Sequence, residues 1–319
     1  MLSAEKEPIY ASDPVLKFTW VVKVRGASPQ SDQVRQARQE IPTSPRVQAM
    51  LAGRDEQGRL PFHPYQKWLG AHWVLALLAE WGYPAGDDTL FPLREQELAW
   101  LLSPTHQKNI RHIAGLTRRC ASQEGNALYA LLTLGLADER CDELAHRLVA
   151  WQWPDGGWNC DKHPRASHSS FHESLIPLRA LALHARLTGN ADSQNSAERA
   201  AEIFLSRRLF RRLKDGSVID PHFLELHYPF YWHYDVLFGL LVMAECGWIH
   251  DPRCKEALDW LESRRLPDGN FPADARWYTV TQREVSGRSA TDWGVTSAKV
   301  HNPFVSVLAH FVLKASGRG

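Results

Sequence analysis

Two kinds of hydrophobic pattern alternate along the chain. In one, apolar residues fall at helical spacing on a single face, as Leu144, Leu148 and Trp151 do. In the other they cover the segment nearly all round, as in Leu175, Ile176, Leu178, Leu181, Leu183 and Leu187. The first pattern predicts a half-exposed helix and the second a buried one. Between these two runs lies Trp151-Gln-Trp-Pro-Asp-Gly-Gly-Trp158, followed by Asn159-Cys-Asp-Lys-His163 and Ser169-Ser-Phe-His-Glu173. An outer helix is therefore expected to end at Pro154-Asp-Gly-Gly, a polar loop to follow, and an inner helix to begin near His172.

The same unit recurs from Pro45 onward. Unit one runs from Val47 to Gly82, with its turn at 56–62 and its inner helix from Trp68 to Trp81. Unit two ends with 124–135 and unit three at Gly189. Unit four carries Lys214-Asp-Gly216, a loop with Tyr228-Pro-Phe-Tyr-Trp-His233, and an inner helix to Gly247. Unit five carries Leu266-Pro-Asp-Gly-Asn-Phe271 and an inner helix from Phe304 to Ala315, before Gly317. Each inner run stops at a glycine, where a helix needs a left-handed residue to end. The turn glycines, Gly58, Gly125, Gly156, Gly216 and Gly269, are unevenly spaced, which reads as degenerate repeats with loop insertions. A helix that is apolar all round must be covered, and an amphipathic one can cover it. The alternation predicts an all-α fold of concentric layers, an α/α toroid over residues 46–319. A linear solenoid would make both helices of each pair amphipathic. Residues 1–45 read as an N-terminal extension packed on the toroid, with a helix after Asp13 that has Pro14 in its first turn.

Gln152-Trp-Pro-Asp-Gly-Gly-Trp158 resembles the QW repeat of squalene cyclases, and Leu266-Pro-Asp-Gly-Asn-Phe271 resembles a decayed copy of it. The helix-pair pattern around them is similar to that of the terpenoid cyclase and protein prenyltransferase superfamily. The resemblance implies a toroid and a terpenoid-like or other hydrophobic small substrate, with cyclisation, isomerisation or hydration as the reaction class. It also implies, through the prenyltransferases, a zinc alternative in which His172 takes the place of the family's histidine ligand. The chain departs from these families in lacking both an Asp-x-Asp-Asp and an Asp-x-Cys motif. Gly86-Asp-Asp-Thr89 reads as a cap or turn.

Composition narrows the picture. Thirty-seven Lys and Arg face 36 Asp and Glu without blocks of either sign, so nothing points to nucleic acid or a charged membrane surface. Five irregularly spaced cysteines, no CxxC and a charged start predict free thiols in a reducing cytoplasm. The apolar runs fall short of the ~20 residues a membrane span needs.

The starts of the inner runs carry the candidate chemistry. Phe62-His63, Gln123-Glu124, Phe171-His172-Glu173, Trp232-His233-Tyr234-Asp235 and Val300-His301 occupy equivalent places. Parallel inner helices would bring His63, Glu124, His172, His233 and His301 to one rim, with Glu173, Tyr234 and Asp235 beside them. Helix N-termini add partial positive charge there. Each residue alone is equally a cap or a loop contact. Two chemistries fit the set. In the first, which calls for no cofactor, a His–acid or Tyr–acid pair moves a proton: His233 or His172 acts with Asp235 or Glu173. In the second, Cys160, His172 and His233 or Asp161 bind Zn²⁺ for a transferase or hydrolase. Cys160, flanked by Asp161, Lys162 and His163, is also a candidate thiolate. Trp158, Tyr231 and Trp232 either line a pocket for a hydrophobic ligand or cation, or seal helix ends as QW-type tryptophans do. The loop 274–300, with Arg276, Arg283, Arg288 and Lys299, reads as a lid or as a solvated loop. A non-catalytic lipid- or protein-binding module is the third reading.

Overall fold

The computed structural model describes residue 10, residues 12–283 and residues 285–318. The N-terminal helix α1 (Pro14–Thr19) is capped by Asp13, whose Oδ1 accepts from the amides of Val15 and Leu16, and it runs on as a π-helical turn through Trp20–Val24. Then come α2 (Asp32–Glu40), α3 (Pro45–Leu51), α4 (Ala71–Glu80), α5 (Phe91–Leu101) and the short α6 (Pro104–Lys108). A β-hairpin of β1 (Arg111–Ile113) and β2 (Leu116–Arg118) leads into α7 (Ser122–Thr133). The chain continues with α8 (Glu139–Trp151), α9 (Phe171–Thr188), α10 (Ala191–Ser206), α11 (Val236–Glu245) and α12 (Lys255–Ser263). Strand β3 (Pro272–Ala273) pairs antiparallel with β4 (Ser297–His301), and α13 (Pro303–Ala315) ends the fold.

The two hydrophobic patterns separate as expected. Among the described residues α4, α7, α9, α11 and α13 are buried almost all round, whereas α8 buries only Cys141, Leu144, Ala145, Leu148 and Trp151, on one face. The buried helices pack in chain order, α4 on α7, α7 on α9, α9 on α11 and α11 on α13, and α1 with its π turn packs on α13. All five are followed by a glycine in the left-handed region, at Gly82, Gly135, Gly189, Gly247 and Gly317. One turn glycine is corrected. Gly125 lies inside α7, where a Cβ would come within 2.9 Å of the Pro177 nitrogen in α9, so it serves close backbone approach and not a turn. The hairpin β1–β2 and the β3–β4 pair carry no alternation that the sequence reading picked up. No described helix is long and apolar enough to cross a membrane.

The QW-like turn staples three helices. Gln152 Nε2 donates to the Gly156 carbonyl at 2.7 Å and to Ser196 of α10 at 2.8 Å. Trp158 donates from Nε1 to Leu148 of α8 at 2.8 Å and from its amide to Ser174 Oγ of α9 at 3.0 Å. The unit-five turn repeats the design. Leu266 N–H reaches Asn270 O at 2.8 Å, as Trp153 N–H reaches Gly157 O at 2.7 Å. Phe271 N–H reaches Ser306 Oγ of α13 at 2.9 Å, as Trp158 reaches Ser174. Gly156 has φ +103°, and a Cβ there would lie 2.5 Å from the Arg199 carbonyl oxygen. Gly156→Ala is expected to destabilise the protein by about 2 kcal/mol or more, by combining a backbone clash with a left-handed Ala. Gly216→Ala, at φ +71° with nothing within 4 Å, should cost only the conformational part, about 1–2 kcal/mol. Urea unfolding of the two variants side by side measures the difference.

A part-buried ion network ties the buried helices together at Arg179 of α9. Its guanidinium bonds Glu245 of α11 at 2.6 and 3.0 Å, stands 3.9 Å from the ring centroid of Tyr129 of α7, and lies 4.0 Å from Glu80 of α4. Lys23, from the π turn, adds 2.9 Å to Glu245. Elsewhere aromatic rings fill the interior. Tyr228 stacks on Phe304 at 4.6 Å and accepts from Trp81 Nε1 at 2.8 Å, while Phe230 stacks on Phe238 at 4.4 Å.

Candidate functional site

The starts of α7, α9 and α11 carry two adjoining clusters, joined through His172 and Glu173. The first forms where the β1–β2 hairpin delivers Cys120 to the start of α7 and the loop after the QW-like turn delivers Cys160 to the start of α9. The sulfurs of Cys120 and Cys160 and a carboxylate oxygen of Glu173 lie within 4.8 Å of one another. Glu173 is buried; its Oε2 accepts from the Ser122 amide at 3.0 Å and its Oε1 faces Cys160 Sγ at 3.7 Å. Burial pushes the Glu173 carboxyl above its ordinary range. The hydrogen bond between the thiols raises Cys120, with burial adding to it, and lowers Cys160. Next to these groups Glu124 pairs with His106 Nε2 at 3.1 Å and with Arg119 at 3.1 Å. Burial alone would raise Glu124, but His106 and Arg119 hold it below the usual carboxylate value. Tyr65 reaches this cluster from the loop before α4, and burial pushes its phenol up to about 12.

The second cluster surrounds the start of α11. Asp235 caps that helix through Oδ1, which accepts from the Phe238 amide at 2.7 Å, and turns Oδ2 to His227 Nδ1 at 2.9 Å. His227 is 1% exposed and its Nε2 has no hydrogen-bond partner. His233 stands between Trp232 and Trp277, stacked at 3.9 and 4.1 Å, with its ring 6.2 Å from His227 and 6.3 Å from His172. Burial, then the nearby His227 and His172, push the His233 imidazole down to about 2, so it is neutral at physiological pH. Burial likewise lowers His172, whose Nδ1 accepts from the Tyr234 amide at 2.9 Å.

The structure therefore splits the expected ring of side chains. Glu124, Cys160, His172, Glu173, His233 and Asp235 come to the two clusters. The imidazole partner of the Asp235 carboxylate is His227 rather than His233. Tyr234 turns its hydroxyl to the Leu209 carbonyl at 2.6 Å, a packing role. Asp161 is exposed and binds the His163 amide at 2.8 Å within its own loop. His63 is exposed at the margin, with its ring 5.6 Å from Trp100, which in turn lies 4.8 Å from His106. His301 pairs with Asp268 at 2.8 Å, in the fifth-unit turn. Trp158 is a staple of its turn. Tyr231 stacks on Trp68 at 3.7 Å. Trp232 reaches the second cluster through His233. Sequence reasoning missed Cys120, His106, Arg119, Tyr65 and His227. Cys120 had one usable signal: like Cys160, it is a cysteine in a polar stretch ahead of an apolar run.

No protein-family model matches the chain, and no curated protein matches it in sequence.

Proposed function

We propose that the protein is a zinc-dependent enzyme acting on an apolar small molecule where α7 and α9 begin. The observation that carries this reading is the convergence of Cys120, Cys160 and Glu173 within 4.8 Å. Two sulfurs and a carboxylate are a donor set that Zn²⁺ accepts, and three protein ligands leave the fourth position of a tetrahedral site open, as catalytic zinc sites do. The buried Glu173 carboxyl fits a cation too, since the Ser122 amide and hydroxyl and the two thiols that bond it do not offset the cost of burying its charge. Bound there, zinc would supply Lewis acidity to a group in that open position. The chain's own residues prepare the place. Ser122 N–H orients Glu173, and Arg119, held by Gln123 and Glu124, keeps a permanent positive charge near Cys120 that favours the thiolate.

The wider architecture enters as part of this proposal. The QW-like turn, its repeat in unit five and the successive packing of the buried helices support a closed toroid of the terpenoid cyclase and prenyltransferase kind, with a terpenoid-like substrate. A metal-free acid/base reading is favoured by one separate observation. With Nδ1–H given to Asp235, His227 keeps a lone pair on a partnerless Nε2, the arrangement of an oriented general base.

Metal analysis of protein purified from zinc-replete medium without chelators tests the first reading. About one equivalent of zinc is expected, and less than about half an equivalent would sink it. Cobalt substitution should give the absorption of a tetrahedral site with sulfur ligands, altered by an added thiol if a position is open. If neither metal is held, while His227→Gln folds and loses turnover, the acid/base reading replaces it.

A further inference from the structure

A recess lies between α3, the loop leading into α4 and the loop before β4, with its Trp68 ring 6.5 Å from His233. Its volume is about 420 Å³, and Met50, Leu60, Phe62, Leu69 and Val74 form its apolar walls. Two polar groups border it without partners. Trp68, 2% exposed, presents an indole Nε1–H that is buried and makes no hydrogen bond. Arg288, half-buried on the opposite loop, has a buried Nε with none either, and no described carboxylate pairs with it. Arg288 is the only charged residue among the described residues that line the recess. Gly287, at φ +77°, brings this loop beside the indole, where a Cβ would stand in ordinary contact at 3.7 Å from Trp68 Nε1.

Leaving two N–H donors dry and unpaired beside an apolar wall is costly, and the cost is greater for a guanidinium. An acceptor that meets both donors removes it. The acceptor is an anion, because Arg288 lines the recess without a carboxylate partner among the described residues, Lys67 Nζ stands 5.5 Å from the Trp68 ring, and a guanidinium meets a carboxylate with strong, directed hydrogen bonds. A dry engineered cavity of roughly 150 Å³ takes one benzene ring, so this recess holds about two to three such rings or a medium-length alkyl chain. We propose that the recess binds a monocarboxylate carried on an apolar body, with the carboxylate held by Trp68 Nε1 and Arg288 and the body against α3 and α4. The loop 285–290 then serves as one wall of a binding site, which resolves the choice between a lid and a solvated loop for that part of 274–300.

The site does not depend on the thiol cluster, and its test is arranged to keep the two apart. Isothermal titration of the full chain with dodecanoate, dodecanol and dodecyl phosphate, repeated after treatment with a zinc chelator, reads it directly. Dodecanoate should bind at least about tenfold tighter than dodecanol, as expected for charge-assisted hydrogen bonds. Chelation should leave that binding unchanged. Arg288→Ala and Trp68→Phe should each weaken dodecanoate by about tenfold and leave dodecanol unaffected. Because Trp68 is a core residue, its variant is read only with an unchanged thermal unfolding profile, and the half-buried loop variant Arg288→Ala carries the test if it is not. Equal binding of the acid and the alcohol, or an unaltered dodecanoate affinity in Arg288→Ala, overturns the proposal. Dodecyl phosphate binding more tightly than dodecanoate also overturns it, because the site would then be built for a greater charge.

Discussion

Arg179→Met is expected to destabilise the fold by about 1.5–3 kcal/mol, because it removes charged hydrogen bonds from part-buried carboxylates and leaves them short of counter-charge. Arg179 is 6% exposed and is the only cation bonded to both carboxylate oxygens of Glu245 among the described residues. Lys23 remains, at 2.9 Å from one oxygen, and limits the loss. Met matches much of the removed side chain's length, so the deficit reads charge rather than a cavity. Chemical unfolding at neutral pH measures it. A change below about 1 kcal/mol would mean that the network contributes little beyond packing.

The same network sets the acid response. Burial alone would raise Glu245, but Arg179, then Lys23, outweigh it and hold the carboxyl down to about 2. A folded pKa below the unfolded one contributes stability that is full above the unfolded carboxyl range and is lost as pH falls through the folded value. The wild type should therefore lose stability from about pH 4.5 down to about pH 2. Glu80 works in the opposite direction: burial raises its pKa, so the folded state takes up its proton first and gains as pH falls. Arg179→Met should flatten or reverse the acid limb of the stability profile, since Glu245 then also protonates readily. Parallel acid-limb slopes in the two proteins would contradict this.

How much of this was written in the sequence depends on the kind of signal. The buried helices were legible because an apolar run such as Val236 to Met243 has no polar face to show to water, and the amphipathic α8 repeats its apolar positions at helical spacing. Arg179 stood inside an apolar run, and a charge in a buried helix demands a partner. Its partners, Glu80 and Glu245, lie near the ends of two other buried runs, so they could have been paired on that ground. Gly125 was misread because a glycine that permits close helix packing is indistinguishable, in one sequence, from a glycine that makes a turn. Cys120 and Cys160 stand in loops 40 residues apart, and only the way α7 packs on α9 brings them together. The Asp235 cap was recognisable, but a cap uses one carboxylate oxygen. The partner of the other, His227, lies across a turn of Tyr-Pro-Phe-Tyr-Trp-His whose path no periodicity specifies.

Zinc at about a thousand times its dissociation constant should raise the unfolding free energy by about 4 kcal/mol, provided the unfolded chain does not hold it. For a chain of this length the midpoint of thermal unfolding should rise by roughly 6 °C. The rise tests the metal reading without any knowledge of the substrate. Cys160→Ala and Glu173→Gln should each remove most of it, since loss of a direct ligand should weaken zinc by more than the roughly 10–100-fold that outer partners cost. Cys246→Ala is the control, because that thiol borders the Arg179 network and stands apart from Cys120 and Cys160. The ligands must lose protons to bind, and Cys120 holds its proton tightly through its hydrogen bond to Cys160 and its burial. The zinc-induced rise should accordingly shrink as pH falls and release protons into unbuffered solution. An unchanged midpoint with zinc in the wild type, under reducing conditions that keep both thiols free, would leave Cys120, Cys160 and Glu173 as a packed polar cluster and shift the weight to His227 and Asp235.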